Sequence, residues 1–163
     1  MEYKLVKISN LSGEEASIYS LLPKGSANTL FDSFIIENKT THLTEVKDIY
    51  NRIKLIGSEF GVRDNFLKLN EGFPGDGVCA LYDDDEKNLR LYAIKYGKTL
   101  IVLGNGGYKP KTIRALQDDV KLEKENKLMR DLSSQVKIKM QDKELKFSDD
   151  YMNFEGDLNF TIE

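Results

Sequence analysis

The residues of this chain whose types and spacing suggest chemistry lie between positions 90 and 114. Arg90 and Tyr92 are two residues apart in the run Leu89–Tyr96, so a β-strand there places both side chains on one face. The glycine-rich run 104–107 is followed by three cations, Lys109, Lys111 and Arg114. Glycines expose backbone N–H groups and let a phosphate approach closely. The pattern therefore suggests contact with an anionic group.

A purely structural interpretation competes with each of these features. An arginine within an apolar strand is costly unless it is paired or faces a wet cleft. Arg90 therefore either forms an ion pair, for instance with an acidic residue of the N-terminal half, or lines a cleft. The run 104–107, taken alone, is slightly better explained as a strand end with a flexible turn. The sequence alone is consistent with both the functional and the structural interpretation.

Histidine and cysteine are too scarce for the common metal chemistries. The chain has one of each, His42 and Cys79, whereas structural zinc sites need about four such ligands. If the protein is an enzyme, its chemistry uses Lys, Arg, Tyr, Asp or Glu, and we expect no metal and no cofactor. Cys79 lies in an apolar run and is predicted to be a buried, inert side chain. A single cysteine excludes an internal disulfide and fits a reducing cytoplasm.

The charge is unevenly distributed along the chain. Residues 1–86 have a net charge of −6, residues 87–140 of +8 and residues 141–163 of −5. A basic block between acidic flanks suggests an anionic partner, but lysines on the outer face of a charged helix would give the same count. No apolar run is long enough to span a membrane, and the N-terminus lacks the apolar stretch of a signal peptide. We therefore expect a cytoplasmic protein with no membrane partner.

Hydrophobic patterning predicts the elements of the N-terminal half. The 163 residues, 40% of them hydrophobic, suit one domain or a compact domain with an appendage. A short strand is predicted at 3–8, and the capping-box spacing from Ser12 to Glu15 predicts a helix that ends before Pro23. Apolar stripes over 30–38 and 43–56 predict two helices joined as a hairpin.

The second half is predicted to begin with strands. They cover Val78–Tyr82, Leu89–Tyr96 and Thr99–Gly104, and the short glycine-containing connection at Gly97 favours an antiparallel hairpin. Residues 110–134 predict a helix, and the alternation from Val136 onward predicts two or three short strands. We therefore expect an α+β domain over residues 1–135 and an acidic, strand-rich C-terminal extension over 136–163.

The order of elements between residues 30 and 115 resembles the RelE/ParE superfamily of bacterial toxins, and within it the HigB-like, phage-derived branch. The resemblance rests on the helical hairpin, on Lys68 before a glycine-containing loop, on the Arg-x-Tyr strand 89–94, on the aliphatic strand 100–104 and on Lys109 with Lys111. It implies a RelE-like fold, in which a helical hairpin packs on a small antiparallel β-sheet with a concave basic face opposite.

The resemblance also implies a function, the toxin component of a type II toxin–antitoxin module. HigB-like and RelE-like members cut mRNA on the ribosome without a metal, whereas ParE-like members poison DNA gyrase. Both kinds are neutralised by an antitoxin, often one with a helix-turn-helix domain. We expect an mRNA endoribonuclease first. The alternatives are a non-catalytic binding protein, either gyrase-directed or an interaction module of a phage or mobile element, and a small domain without a nucleic-acid role.

The same resemblance assigns roles to individual residues. RNA cleavage through the 2′-hydroxyl needs a base, cations on the developing phosphorane oxygens and an acid for the 5′-oxygen. The predicted catalytic residues are Arg90, as the phosphate-charge stabiliser, with Lys109 and Lys111, which hold phosphates or transfer protons. The residues predicted to bind nucleic acid are Lys68, Tyr92 and Arg114.

Overall fold

The computed structural model describes residues 1–81, 86–109 and 119–163. The strands are β1 (Glu2–Lys7), β2 (Ser17–Pro23), β3 (Leu67–Lys68), β4 (Val78–Leu81), β5 (Leu89–Tyr96), β6 (Leu100–Tyr108), β7 (Leu145–Phe147), β8 (Phe154–Gly156) and β9 (Asn159–Thr161). The helices are α1 (Leu30–Asn38), α2 (Leu43–Leu55) and α3 (Val120–Gln141). A π-helical turn, Ile56–Phe60, continues α2, and a 3₁₀ turn, Asp64–Phe66, precedes β3.

Seven of these strands form one mixed sheet in the order β3-β4-β5-β6-β2-β1-β9. Neighbouring strands are antiparallel except β2 and β6, which run parallel from the pair Ser17 and Leu100 to the pair Ser20 and Leu103. β7 and β8 form a separate antiparallel pair.

Both faces of the seven-stranded sheet are covered, and each has its own hydrophobic core. On one face Phe31 and Phe34 of α1 and Ile49 and Ile53 of α2 are buried against the sheet. On the other face α3 contributes residues that include Met129, Leu132 and Val136, and the C-terminal strands contribute others that include Leu145, Phe154 and Phe160. Coverage on both faces explains why five of the eight residues of β5 and eight of the nine residues of β6 are buried.

The predicted fold, a helical hairpin packed on a small antiparallel sheet, is wrong. The two helices exist, but the sheet has seven strands, is mixed, and is covered by α3 on the face that was expected to be concave and open. One cause is the segment from residue 12 to Pro23, which forms β2 instead of a helix. Ser12 Oγ accepts a hydrogen bond from the N–H of Ile18 and donates one to the carbonyl of Ile8, each at 2.9 Å. This serine thus closes the connection between β1 and β2 and does not cap a helix.

The strand predicted to begin at Val136 is also wrong, because residues 136–140 belong to α3. Met129, Leu132 and Val136 face the core whereas Ile138 is exposed, and this spacing of three and four residues is helical. The boundary predicted between residues 135 and 136 therefore falls inside a helix. The short strands expected further on are present, and β9 joins the main sheet beside β1.

The predictions for α1, α2 and β5 are confirmed. The N-terminus of α1 is closed by Thr29, whose side chain accepts from the N–H of Asp32 while the Asp32 carboxylate accepts from the N–H of Thr29. Glu45 of α2 ties this layer to the sheet, because its carboxylate accepts hydrogen bonds from the N–H groups of Asn88 and Leu89. In the described part of the chain, no helix combines the length and apolar character needed to cross a membrane.

Cys79 in β4 is fully buried, as predicted, and gives a simple test of the two-sided sheet. Burial raises the pKa of its thiol to about 12. Because the thiolate is the reactive form, we expect no measurable reaction with Ellman's reagent near neutral pH while the protein is folded. One thiol per chain should react after unfolding in guanidinium. Rapid reaction of the folded protein would show that β4 is accessible from one side.

Candidate active site

Arg90 and Tyr92 lie on the face of β5 that α3 covers. The guanidinium carbon of Arg90 is 6.0 Å from the centre of the Tyr92 ring. Tyr92 belongs to the core on the α3 side, whereas Leu89 and Leu91 belong to the core on the α1 and α2 side. The alternation expected from the sequence is therefore present at this end of β5, before the register shift between Leu91 and Ala93.

A carboxylate, that of Glu71, lies between two of the predicted cations. Its Oε1 atom is 3.9 Å from Arg90 Nε and 3.8 Å from Lys68 Nζ. The strand register explains the meeting, because Lys68 of β3 lies opposite Ala80 of β4, and Ala80 lies opposite Tyr92 of β5. The side chains of Arg90 and Glu71 are 13% and 18% exposed, whereas that of Lys68 is 49% exposed. The cluster is thus largely enclosed, with Lys68 on its solvent side.

Backbone hydrogen bonds hold Glu71 in position. Its N–H donates to the carbonyl of Val78 (3.1 Å), and its carbonyl accepts from Asn126 Nδ2 of α3 (2.8 Å). Gly72 comes next, and a Cβ added there would lie 2.8 Å from the Val78 Cβ. The loop between β3 and β4 is therefore anchored to β4 and to α3. These contacts hold the backbone of Glu71 in place.

The carboxylate of Glu71 has an unusual environment. Its Oε1 atom is buried and accepts no hydrogen bond from the described residues. A buried oxygen without a hydrogen bond is unfavourable, so its attraction to Arg90 and Lys68 must offset part of the desolvation cost. A carboxylate with an unused acceptor position beside two cations can take a proton from a substrate while the cations stabilise negative charge.

Tyr92 supports Arg90 and offers no open face to a substrate. The residue is buried, and burial raises the pKa of its phenol although contact with Arg90 lowers it. The phenol is therefore protonated at neutral pH. The predicted stacking of Tyr92 on a nucleobase would need an exposed ring face, which this packing does not provide, so its position fits orientation of the guanidinium better.

Lys109 lies just beyond β6 and is also buried. Gly107 of β6 is paired with Arg90 of β5. Lys109 follows Gly107 by two residues and lies just past the end of this pairing. Its backbone N–H donates to the carbonyl of Asn88 (2.6 Å). The other two cations of the predicted basic cluster, Lys111 and Arg114, lie outside the described residues.

The glycine-rich run 104–107 is part of β6 and lies beneath α3. A Cβ added at Gly104 would lie 2.6 Å from the sulfur of Met129. Lys121 of α3 reaches across, donating to the carbonyl of Gly106 and pairing with Glu37 at 3.4 Å. Gly104 thus permits the close approach of α3, and Gly106 permits that of β5, where an added Cβ would overlap the Arg90 carbonyl oxygen, so the run is not an open phosphate loop.

Sequence reasoning missed Glu71 and Asn126. Neither carries a local signal, because Glu71 is one acidic residue in a loop and Asn126 is one polar residue in a charged helix. Their relation to Arg90 follows only from the pairing of β3, β4 and β5 and from the placement of α3 across the sheet.

Among residues 1–81, 86–109 and 119–163, no group of three or more His, Cys, Asp or Glu side chains could hold a metal ion. Comparisons of the chain with protein-family models, with curated proteins and with solved structures find no significant match.

Proposed function

We propose that this protein is the toxin of a type II toxin–antitoxin module and that it cleaves mRNA by metal-free acid–base catalysis. The observation that carries the proposal is the carboxylate of Glu71, which lies within 4 Å of both Arg90 and Lys68 and has one buried oxygen with no hydrogen bond from the described residues. This cluster contains a base and two cations, one of which can also act as the acid, and cleavage through the 2′-hydroxyl requires these groups.

In the proposed reaction Glu71 removes the proton from the 2′-hydroxyl of the RNA, and the 2′-oxygen attacks the adjacent phosphorus. Arg90 stabilises the charge on the phosphorane oxygens, and Tyr92 beneath it orients the guanidinium. Lys68, the most exposed member of the cluster, protonates the departing 5′-oxygen. The products are a 2′,3′-cyclic phosphate and a 5′-hydroxyl end, so atoms and charges balance without a further reactant.

The proposed partners follow from the resemblance to the RelE/ParE superfamily. They are mRNA, presented by the ribosome, and an antitoxin with a helix-turn-helix domain. The net charge of +8 over residues 87–140 supports an anionic partner. We place the protein in the cytoplasm, where the mRNA and the ribosome are found, with no membrane partner.

A second candidate function is a non-catalytic binding protein, either a gyrase-directed toxin or an interaction module of a phage or mobile element. The observation that favours it is the pairing of Arg90 with Glu71 in a setting where Arg90 is only 13% exposed. An arginine held in this way can be structural, which was the competing interpretation of its place in an apolar strand.

Induced expression in a bacterial host separates the two candidates. We expect growth arrest and new mRNA 5′ ends by primer extension with the wild type, both lost with Arg90→Ala and both retained with Arg52→Ala, which removes an exposed arginine of α2. Arrest with intact mRNA would favour the gyrase-directed alternative. The absence of arrest and of new ends, with soluble folded protein, would contradict the nuclease proposal.

A further inference from the structure

Two adjoining clefts lie beside the candidate active site on the α3 side of the sheet. The first has a volume of about 650 Å³ and lies between the loop that follows Glu71 and one face of α3. The second, of about 590 Å³, lies at the turn between β5 and β6. The clefts share Lys95, Tyr96 and Phe147 in their walls, so they adjoin each other, and we refer to the two together as the depression. Each volume is within the range of small-ligand sites.

An exposed aromatic side chain lies in each cleft. Phe73 in the first is 64% exposed, and Tyr151 in the second is 62% exposed. The Phe73 ring has the Arg130 guanidinium carbon 5.1 Å from its centre, which holds the ring in place. Tyr151 packs beside Phe147, with ring centres 5.9 Å apart, and its carbonyl accepts from Thr99 Oγ1 (2.5 Å). Solvent-exposed rings held by their neighbours are suitable platforms for stacking a nucleobase.

The walls of the depression contain four cations, Lys95, Lys98, Arg130 and Lys137, and two carboxylates, Asp76 and Asp150. Lys95 pairs with Asp64 and Arg130 with Glu123, so Lys98 and Lys137 are the two wall cations that a ligand can use. The carboxylates are engaged by their own loops, since Asp76 accepts from the N–H groups of Phe73 and Val78 and Asp150 accepts from Ser148 Oγ. Lys137 is exposed and has no ion pair among the described residues. Phosphate groups of a polyanion can therefore lie near Lys98 and Lys137.

Two buried polar atoms in the first cleft have no hydrogen bond to the described residues. They are the Tyr96 hydroxyl oxygen and Arg130 Nε. The hydroxyl lies near Ser133, but Ser133 Oγ donates to the carbonyl of Asp76 (2.6 Å). Buried polar groups of this kind are normally satisfied by protein, water or ligand.

We propose that this depression is a binding track for single-stranded RNA, with one base stacked on Phe73 and another on Tyr151, and with the intervening phosphates near Lys137 and Lys98. The inference rests on the proposed function and extends it to the substrate. The track lies near the candidate active site, because Phe73 is two residues from Glu71, and Asn126, which binds the Glu71 carbonyl, is one helical turn from Arg130.

The test is fluorescence anisotropy with a 2′-O-methyl RNA of roughly twelve nucleotides, which the proposed reaction cannot cleave. We expect Phe73→Ala to weaken binding about tenfold, because stacking on an aromatic ring contributes substantially for each base, and Phe73→Trp to retain it. Lys137→Glu should weaken binding and reduce the slope of log affinity against log salt concentration by about 0.7 or more.

Two control variants test whether RNA binding depends on this depression or on any exposed ring or surface charge. Phe60→Ala removes another exposed ring that lies beside an arginine, and Lys47→Glu reverses a charge on α2, on the opposite face of the sheet. Both should bind like the wild type. The inference is overturned if Phe73→Ala binds as tightly as Phe60→Ala, or if duplex RNA binds as tightly as single-stranded RNA. Binding by the wild type without cleavage of ordinary RNA would overturn the proposed nuclease and leave the track in place.

Discussion

Glu71→Gln is expected to lower the rate of mRNA cleavage by roughly 10²–10⁴-fold, the usual contribution of a general base. The amide has nearly the shape of the carboxylate but cannot accept the 2′-hydroxyl proton. It also keeps the backbone contacts of Glu71 with Val78 and Asn126. The measurement is the single-turnover cleavage rate of a ribosome-bound message with purified protein.

Two further variants test whether the expected loss of cleavage is specific to the proposed site. Glu59→Gln changes an exposed carboxylate on the π-helical turn after α2 and should cleave at the wild-type rate. Arg90→Lys keeps the charge but loses the forked geometry of the guanidinium, so we expect a rate between those of the wild type and Arg90→Ala. A Glu71→Gln protein that cleaves as fast as Glu59→Gln would remove Glu71 from the mechanism.

Gly106→Ala is expected to destabilise the fold by about 3 kcal/mol, the upper end of what overpacking usually costs. A Cβ at this position would overlap the carbonyl oxygen of Arg90, a backbone atom of the neighbouring strand. Relief requires β5 and β6 to move apart next to the candidate site. The measurement is the midpoint of urea unfolding, followed by circular dichroism.

The neighbouring glycine provides the control for this prediction. A Cβ at Gly107 would lie 3.4 Å from Cδ of Lys121, an ordinary contact with a flexible side chain. We therefore expect Gly107→Ala to change the free energy of unfolding by less than about 1 kcal/mol. Equal unfolding midpoints for the two variants would contradict the described close approach of β5 and β6 at Gly106.

The elements that the sequence predicts well are those with a strong local pattern. The stripe of Val46, Ile49 and Ile53 is sufficient to identify α2 and its buried face. The alternation in β5 likewise places Arg90 and Tyr92 on one face before any tertiary contact is known.

The sheet could not be predicted because it depends on pairing between distant segments. β2 lies next to β6 although Ser17 and Leu100 are more than eighty residues apart in sequence. A central strand of this kind is buried on both sides and lacks clear alternation, so the capping-box spacing near Ser12 suggested a helix. The extent of α3 was missed for a similar reason, since Val136, Ile138 and Met140 alternate in sequence while they follow a helix in space.

The candidate site was predicted in part. Arg90 meets an acidic residue of the N-terminal half, Glu71, which was the structural alternative for its place in an apolar strand. In the proposed reaction this same pair, together with Lys68, performs the chemistry. Glu71 could not be named from sequence, since its position depends on the registers of β3, β4 and β5.

Acidic neighbours neutralise part of the positive charge of residues 87–140 in the folded protein. On α3 several cations of this segment have acidic partners: Lys121 with Glu37, Lys127 with Asp131, Arg130 with Glu123 and Lys139 with Asp157. The outer face of a charged helix thus accounts for part of the +8. Lys68, outside that segment, lies in the candidate site, and Lys137, within it, lies in the adjoining clefts.

The chemistry of the RNA ends is the most direct test of the central claim. Messenger RNA would be recovered from bacteria that express the wild type or Glu71→Gln, and new ends would be mapped by ligation with and without prior phosphorylation. Attack by the 2′-oxygen predicts new 5′-hydroxyl ends and matching 2′,3′-cyclic phosphates with the wild type only. New 5′-phosphate ends, or growth arrest without any new ends, would contradict cleavage by Glu71, Arg90 and Lys68.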